Sequence, residues 1–109
     1  MMEIQNYHAH VYFDADSKPD ARYICEEAVA RFGVQMGRMH DRPVGPHPEP
    51  SCQLLADPDQ FAQLLPWLAL HRNGLTVFIH PNTGNHLEDH RDHAIWLGGS
   101  QTLDLSIFK

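Results

Sequence analysis

Positive charge is what this chain has little of. Eight lysines and arginines stand against fourteen aspartates and glutamates, a formal charge of −6. Arg38, Arg42, Arg72 and Arg91 are scattered along the chain rather than grouped. Nucleic-acid binding needs clustered cations to displace counterions from phosphates, so that class is not expected. No apolar run approaches the roughly 18 residues of a membrane span. Met1-Met2-Glu3-Ile4-Gln5 carries no basic residue ahead of an apolar stretch, so neither a membrane anchor nor a secretory signal is expected. Cysteine is equally sparse. Cys25 and Cys52 lie far apart and outside any metal-binding spacing, which suits two reduced, partly buried thiols in a cytoplasmic protein. Zinc-finger spacings, a His-Glu-x-x-His helix, a serine elbow, a Walker loop and a dinucleotide glycine motif are all missing, which excludes the chemistries they support.

What is present describes one soluble domain over residues 1–109, with 42% hydrophobic and 20% charged residues. A first strand is expected from about Gln5 to Phe13. Its period of two puts Tyr7, Ala9, Val11 and Phe13 on an apolar face and His8, His10 and Tyr12 on the other. Ser17 with Asp20 can open a helix, along which Ala21, Ile24, Cys25, Ala28, Val29 and Phe32 form a stripe closed by Gly33. A second strand covers about Val34 to Asp41, followed by a proline-rich connection from Arg42 to Ser51. Cys52 to Ala56 is a third strand. Asp57-Pro58-Asp59-Gln60 then reads as an N-cap, a first-turn proline and a capping-box glutamine. That helix should bury Phe61, Leu64, Leu65 and Leu68 and kink at Pro66, and a fourth strand follows over Leu75 to His80.

The order βαββαβ predicts an α+β, ferredoxin-like antiparallel sheet with two helices on one face, β1 being central between the third and fourth strands. After a polar loop from Asn82 to His93, the segment Ala94-Ile95-Trp96-Leu97 and the alternating Leu103, Leu105 and Ile107 predict additional C-terminal strands. Helices on a single face leave the other partly uncovered, so this apolar tail covers it or a homodimer forms across it.

Histidine is the residue in excess, nine in 109. Imidazole is the commonest transition-metal ligand and titrates nearest neutral pH, so a metal or acid/base site is the leading functional expectation. His8 and His10 share a strand face. His80 ends the neighbouring strand with Thr76 and Phe78 on its own open face, and His47 sits between Pro46 and Pro48. These four should converge on the sheet face away from the helices. His40, His71, His86, His90 and His93 read as ordinary polar histidines. Carboxylates that could complete a facial triad are Asp14, Asp41, Glu49 and Asp89, none of them marked out by spacing.

Four segments carry a likeness: Tyr7-His8-Ala9-His10-Val11-Tyr12-Phe13, Val44-Gly45-Pro46-His47-Pro48, His80-Pro81-Asn82-Thr83-Gly84 and Asp89-His90-Arg91-Asp92-His93-Ala94-Ile95-Trp96-Leu97-Gly98. Together they resemble the DOPA 4,5-dioxygenase family. The resemblance implies a cytoplasmic non-haem iron(II) enzyme, with zinc as the alternative occupant, that uses dioxygen to open a catechol ring beside its hydroxyls. On that basis His10, His47 and His80 are expected as metal ligands and His8 as the proton carrier. Tyr12 and Phe78 are expected to stack on the substrate ring, and Arg38 or Arg42 to pair with a substrate carboxylate. The rival readings are a metal-dependent lyase or isomerase that consumes no oxygen, and a noncatalytic domain binding an aromatic acid or a metal.

Overall fold

A computed structural model of the chain describes residues 3–108; Met1, Met2 and Lys109 lie outside it. The elements are β1 (Asn6–Tyr12), α1 (Lys18–Phe32), β2 (Gln35–His40), β3 (Ser51–Ala56), α2 (Pro58–His71), β4 (Val77–Asn82), α3 (His86–Arg91) and β5 (Ile95–Leu97), with a closing 3-10 turn over Leu105–Phe108. The expected βαββαβ core is therefore present. Its strands run in the order β2-β3-β1-β4-β5, all neighbours antiparallel, with β1 in the centre.

Helices α1 and α2 cover one sheet face. Ala9, Val11 and Phe13 from β1 meet Ile24, Cys25 and Ala28 from α1 and Phe61, Leu64 and Leu68 from α2 in a single apolar cluster. Cys25 and Cys52 are free thiols within it. The capping box opening α2 is complete. The Asp57 carboxylate accepts from the Gln60 N–H, and the Gln60 side chain accepts from the Asp57 N–H. Helix α2 runs unbroken through Pro66. The carbonyl that proline leaves without a helical partner belongs to Ala62, which is exposed and so open to solvent. At the end of α1, Gly33 takes the left-handed conformation (φ 72°) and its N–H bonds back to Val29.

Several local expectations fail for identifiable reasons. Ser17 makes no cap bond to α1. It closes a turn with Asp14 instead, accepting from the Asp14 N–H while the Asp14 carboxylate accepts from the Ser17 N–H. Val29 belongs to the helical stripe yet is 38% exposed, because the sheet contacts only the Ala21–Ile24–Cys25–Ala28 side. Strand β2 carries an irregularity between Met36 and Met39. Strand β4 continues past His80 through Pro81 and Asn82. Pro81 is tolerated there because β5 ends opposite Ile79, so on that side no ladder bond requires the missing N–H.

The supposed loop after β4 contains α3, and only Ile95–Leu97 of the two expected extra strands forms. Leu103, Leu105 and Ile107 lie in an irregular segment and the 3-10 turn. There the Asp104 carboxylate accepts from the Ser106 N–H and hydroxyl, bending the backbone out of any extended run. This tail folds back over the chain. The Asp104 N–H donates to the Pro46 carbonyl (3.0 Å), Gln101 donates to Glu49, and Phe108 lies 4.3 Å from His90, ring to ring. Among the described residues no helix is long and apolar enough to cross a membrane.

Candidate metal centre on the sheet face

Period-two alternation does to β1 what the sequence requires. Apolar Ala9 and Val11 go to the helices, and His8, His10 and Tyr12 go to the opposite face. The antiparallel register sets His8 against His80 and His10 against Phe78 across the β1–β4 ladder. Directly opposed residues share a face, so three imidazoles meet. One ring nitrogen from each of His8, His10 and His80 lies within 4.8 Å of the others. The closest pair, His10 Nε2 and His80 Nε2, are 3.2 Å apart.

His47 reaches the same place from the proline-rich connection. Its N–H bonds to the Val44 carbonyl (3.1 Å), closing a tight turn that the tail braces through Pro46. Its ring centre is 4.1 Å from that of His10, and its Nδ1 is 2.9 Å from the Tyr12 hydroxyl. All four histidines expected at the site are therefore brought together.

A fifth joins them. His90, on α3, packs against His80 with ring centres 3.9 Å apart and ring planes tilted by 35°. The sequence reading set it aside as an ordinary polar residue, and its burial overturns that. The available signal was the i, i+4 spacing of His86 and His90, which gives a helix one histidine face.

The cluster is dry. His10, His47, His80 and His90 are 6%, 8%, 1% and 8% exposed, and only His8 is half-buried. Loss of hydration penalises the charged imidazolium, so every member is held below the ordinary histidine range. Burial takes His47 down to about 4 and His80 to about 3, and neighbouring imidazoles push in the same direction. His10 is lowered well below its usual value by burial and then by His47, His80, His8 and His90, while His8 and His90 are lowered chiefly by burial. At neutral pH all five are uncharged, the state a metal requires.

Hydrogen bonds fix some of the tautomers. A carbonyl only accepts, so His80 Nδ1–H donates to Pro81 O (2.9 Å) and leaves its Nε2 bare toward His10. His90 Nδ1–H likewise donates to His86 O (2.6 Å), and its Nε2 is bare too.

The other expected site residues fall in two groups. Tyr12 and Phe78 are 1% and 0% exposed. Phe78 lies with its ring centre 5.5–5.9 Å from those of His10, His47, His80 and His90 and 4.7 Å from that of Trp96, so it is packed beneath the imidazoles with no free face. Tyr12 is engaged with His47. Arg38 and Arg42 are exposed and line a groove of about 360 Å³ with His40 and Asp41, and Asp41 is paired with Lys18.

None of the four candidate carboxylates enters the nitrogen cluster. Asp14 is in its turn with Ser17, Asp41 is on Lys18, and Glu49 accepts from Gln101. Asp89 is fully buried and accepts from the Thr83 N–H (2.9 Å) and hydroxyl (2.6 Å), which ties down the turn after β4. Its negative charge partly offsets the fall in pKa of His80 and His90.

A divalent metal fits this donor set. Imidazole bonds of about 2.0–2.1 Å around a tetrahedral ion place neighbouring nitrogens roughly 3.3 Å apart. The 3.2 Å between His10 Nε2 and His80 Nε2 is close to that spacing, and the His8 nitrogen lies within 4.8 Å of both. With His8 the three would hold such an ion and leave positions for exogenous ligands.

Fold and site together define an α+β protein with a ferredoxin-like sheet whose open face is a buried polyhistidine cluster. The chain belongs to the Dopa 4,5-dioxygenase family, whose model matches residues 7–107. It is 35% identical over 115 residues to an uncharacterised 21.2 kDa protein of Botryotinia fuckeliana, covering 94% of this chain and 63% of that protein. It is 30% identical over 113 residues to a DOPA 4,5-dioxygenase of Amanita muscaria, covering 95% of this chain and 50% of that one. The chain thus spans only part of the length of both curated relatives. A proposed dioxygenase from Nostoc punctiforme PCC 73102, solved by crystallography, has the same fold with a TM-score of 0.91 and 45% identity. The match covers 94% of this chain and 89% of that one.

Proposed function

We propose that the protein is an extradiol ring-cleavage dioxygenase that uses non-haem iron(II) to open a catechol such as DOPA or a related aromatic acid. The observation that carries this reading is the meeting of three neutral imidazole nitrogens within 4.8 Å, beside a fourth imidazole that belongs to a separate loop. His8, His10 and His80 would hold the metal. This exchanges the roles that the sequence suggested for His8 and His47, because His47 engages Tyr12 through one nitrogen and lies outside the group of three. Bound iron(II) would supply the one-electron oxygen chemistry that amino-acid side chains lack.

The chain's own groups do the rest. His47, next to His10, is within reach of an oxygen of a molecule held at the three nitrogens, and serves as the hydrogen-bonding and proton-handling residue. The burial of the cluster keeps bulk water from the reacting group. Arg38 and Arg42 give their groove a positive charge that suits the carboxylate of an aromatic acid, since Asp41 beside them is neutralised by Lys18.

The test is anaerobic loading with iron(II), then addition of DOPA or caffeic acid in air. One-to-one oxygen uptake with a yellow ring-opened product, both lost on chelation, is expected. His47→Ala should abolish turnover while leaving the circular-dichroism spectrum unchanged. Tight metal binding with no oxygen uptake across several catechols would overturn the proposal, in favour of a non-oxidative enzyme or a binding domain.

A further inference from the structure

Tyr12 lies under the histidine cluster with its ring hidden, and nothing in the proposed reaction yet uses it. We infer that Tyr12 is the positioning residue of the site, and that its hydroxyl fixes His47 as a neutral imidazole carrying its proton on Nε2, the nitrogen left free of Tyr12. This deepens the dioxygenase reading and rests on it for the catalytic role, but not for the tautomer.

Two tautomers satisfy a 2.9 Å contact between a phenol and Nδ1. In one, Tyr12 O–H donates to a bare Nδ1 and His47 keeps its proton on Nε2. In the other, His47 Nδ1–H donates to the phenol oxygen and Nε2 is bare. The second leaves the Tyr12 O–H in need of an acceptor. His47 Nδ1 is its only hydrogen-bond partner among the described residues, and Tyr12 is 1% exposed. A buried hydroxyl without an acceptor is unfavourable. The first tautomer leaves the Nε2–H of His47 to find an acceptor instead. Nε2 is not among the sealed, unpartnered side-chain atoms, so that proton faces the site and solvent, and the contact selects this form.

The surroundings hold the phenol to this role. Burial, and then the negative charge of nearby Glu49, both oppose loss of the Tyr12 phenol proton. Glu49 is itself held by the Gln101 amide. Trp96 packs against the Tyr12 ring at 6.1 Å and limits its swing. The backbone that carries His47 is held as well, by the His47 N–H on Val44 O and the Asp104 N–H on Pro46 O.

The consequence is specific. An imidazole whose Nε2 carries hydrogen does not ligate a metal through Nε2. It donates to an oxygen on which negative charge develops, which is the use a protein makes of a neutral histidine donor. Tyr12 thus separates His47 from His80, whose Nδ1–H is held by a carbonyl and whose Nε2 is bare. Two imidazoles on one site face are given opposite jobs by what stands behind them.

The experiment needs no metal and no activity. Long-range 1H–15N spectra of the 15N-labelled protein at neutral pH assign the tautomer of each histidine. His47 should be in the Nε2–H form, with Nδ1 showing the shift of a hydrogen-bond acceptor. In Tyr12→Phe that shift should disappear, while His80 remains Nδ1–H. An Nδ1–H form of His47 in the wild-type protein, or a His47 signal unmoved in Tyr12→Phe, would overturn the inference.

In the iron-loaded protein, Tyr12→Phe should lower kcat about 10–100-fold with KM for the catechol and metal affinity within about twofold. An unchanged kcat, or a rise in KM alone, would also overturn it. Absence of oxygen uptake by wild type would refute the dioxygenase reading separately, while the loss of the acceptor shift in Tyr12→Phe would still support the assignment of Tyr12.

Discussion

Acidification probes the cluster most directly, because five uncharged imidazoles are hidden in the folded protein and become available to protons when it unfolds. Folding lowers the pKa of His47 from about 6.5 to about 4 and that of His80 to about 3. A folded value below the unfolded one means that the unfolded chain binds more protons as the pH falls. The stability is therefore present in full above about pH 6.5 and is lost as the pH drops toward the folded values.

Each proton taken up on unfolding contributes about 1.4 kcal/mol per pH unit. His47 and His80 together give a slope that approaches about 2.8 kcal/mol per unit once the unfolded imidazoles are fully protonated, or about 3 kcal/mol between pH 6.5 and 5. His8, His10 and His90 shift in the same direction and steepen it. A loss of that size is a large fraction of the stability of an ordinary domain. Urea unfolding of the metal-free protein at a series of pH values would measure it. With an m-value of about 1–3 kcal/mol per molar, the midpoint should fall by about 1–3 M over that interval. His80→Phe should remove about one proton from the slope. The exposed aspartates with lowered pKa values, Asp14, Asp92 and Asp104, titrate in a more acid range and do not confuse the result. A stability that is flat or rising as the pH falls from about 6.5 to 5 would refute the account of buried neutral imidazoles.

Iron(II), cobalt(II) or zinc should raise the melting temperature of the wild-type protein, since a ligand at about 100 times its dissociation constant adds about 2.7 kcal/mol; His10→Ala and His80→Ala should abolish that rise in a thermal-shift assay. Leu64→Ala removes a fully buried side chain between α2 and the sheet and should cost about 2–5 kcal/mol in urea unfolding, with metal affinity retained. Asp89→Asn turns an amide toward the Thr83 N–H and hydroxyl, which need two acceptors. A loss of about 1–3 kcal/mol in urea unfolding and a loosened turn after β4, read by amide exchange at Thr83, are expected.

How far the sequence discloses the molecule depends on where local and tertiary forces agree. The two faces of β1 are legible because alternation of His8, His10 and Tyr12 with Ala9, Val11 and Phe13 has the period of an extended chain and no other. The start of α2 is legible because both halves of its capping box lie within four residues. From these and the βαββαβ order, the central position of β1 and the convergence of His8, His10 and His80 follow.

His90 does not follow. Helix α3 is six residues long and polar, with no apolar stripe to mark it, and His90 is buried by β4 and Phe108 rather than by its own pattern. A weak signal was there: Asn85 caps the helix by accepting from the Glu88 N–H, the spacing of an N-cap and its third residue. The tail misleads in the opposite sense. Leu103, Leu105 and Ile107 alternate as a strand would, but Asp104 and Ser106 between them form a side-chain turn that no hydrophobic pattern records.

The burial that makes the protein sensitive to acid is also what keeps its nitrogens available to a metal. An exposed imidazole of ordinary pKa is about nine-tenths protonated at pH 5.5, so three such ligands together would lose up to about a thousandfold in affinity between pH 7.5 and 5.5. Here His80 stays unprotonated to about pH 3, and His10 is lowered well below the ordinary range. Most of that proton competition is therefore absent, with His8, the half-buried member, contributing what remains. Competition against a chelator of known pH dependence, over the range in which the fold survives, should show a loss of at most about tenfold. A loss near a thousandfold would mean that the imidazoles titrate as though solvated. The account of a buried cluster held neutral by desolvation would then have to be abandoned, while ligation by three histidines would stand.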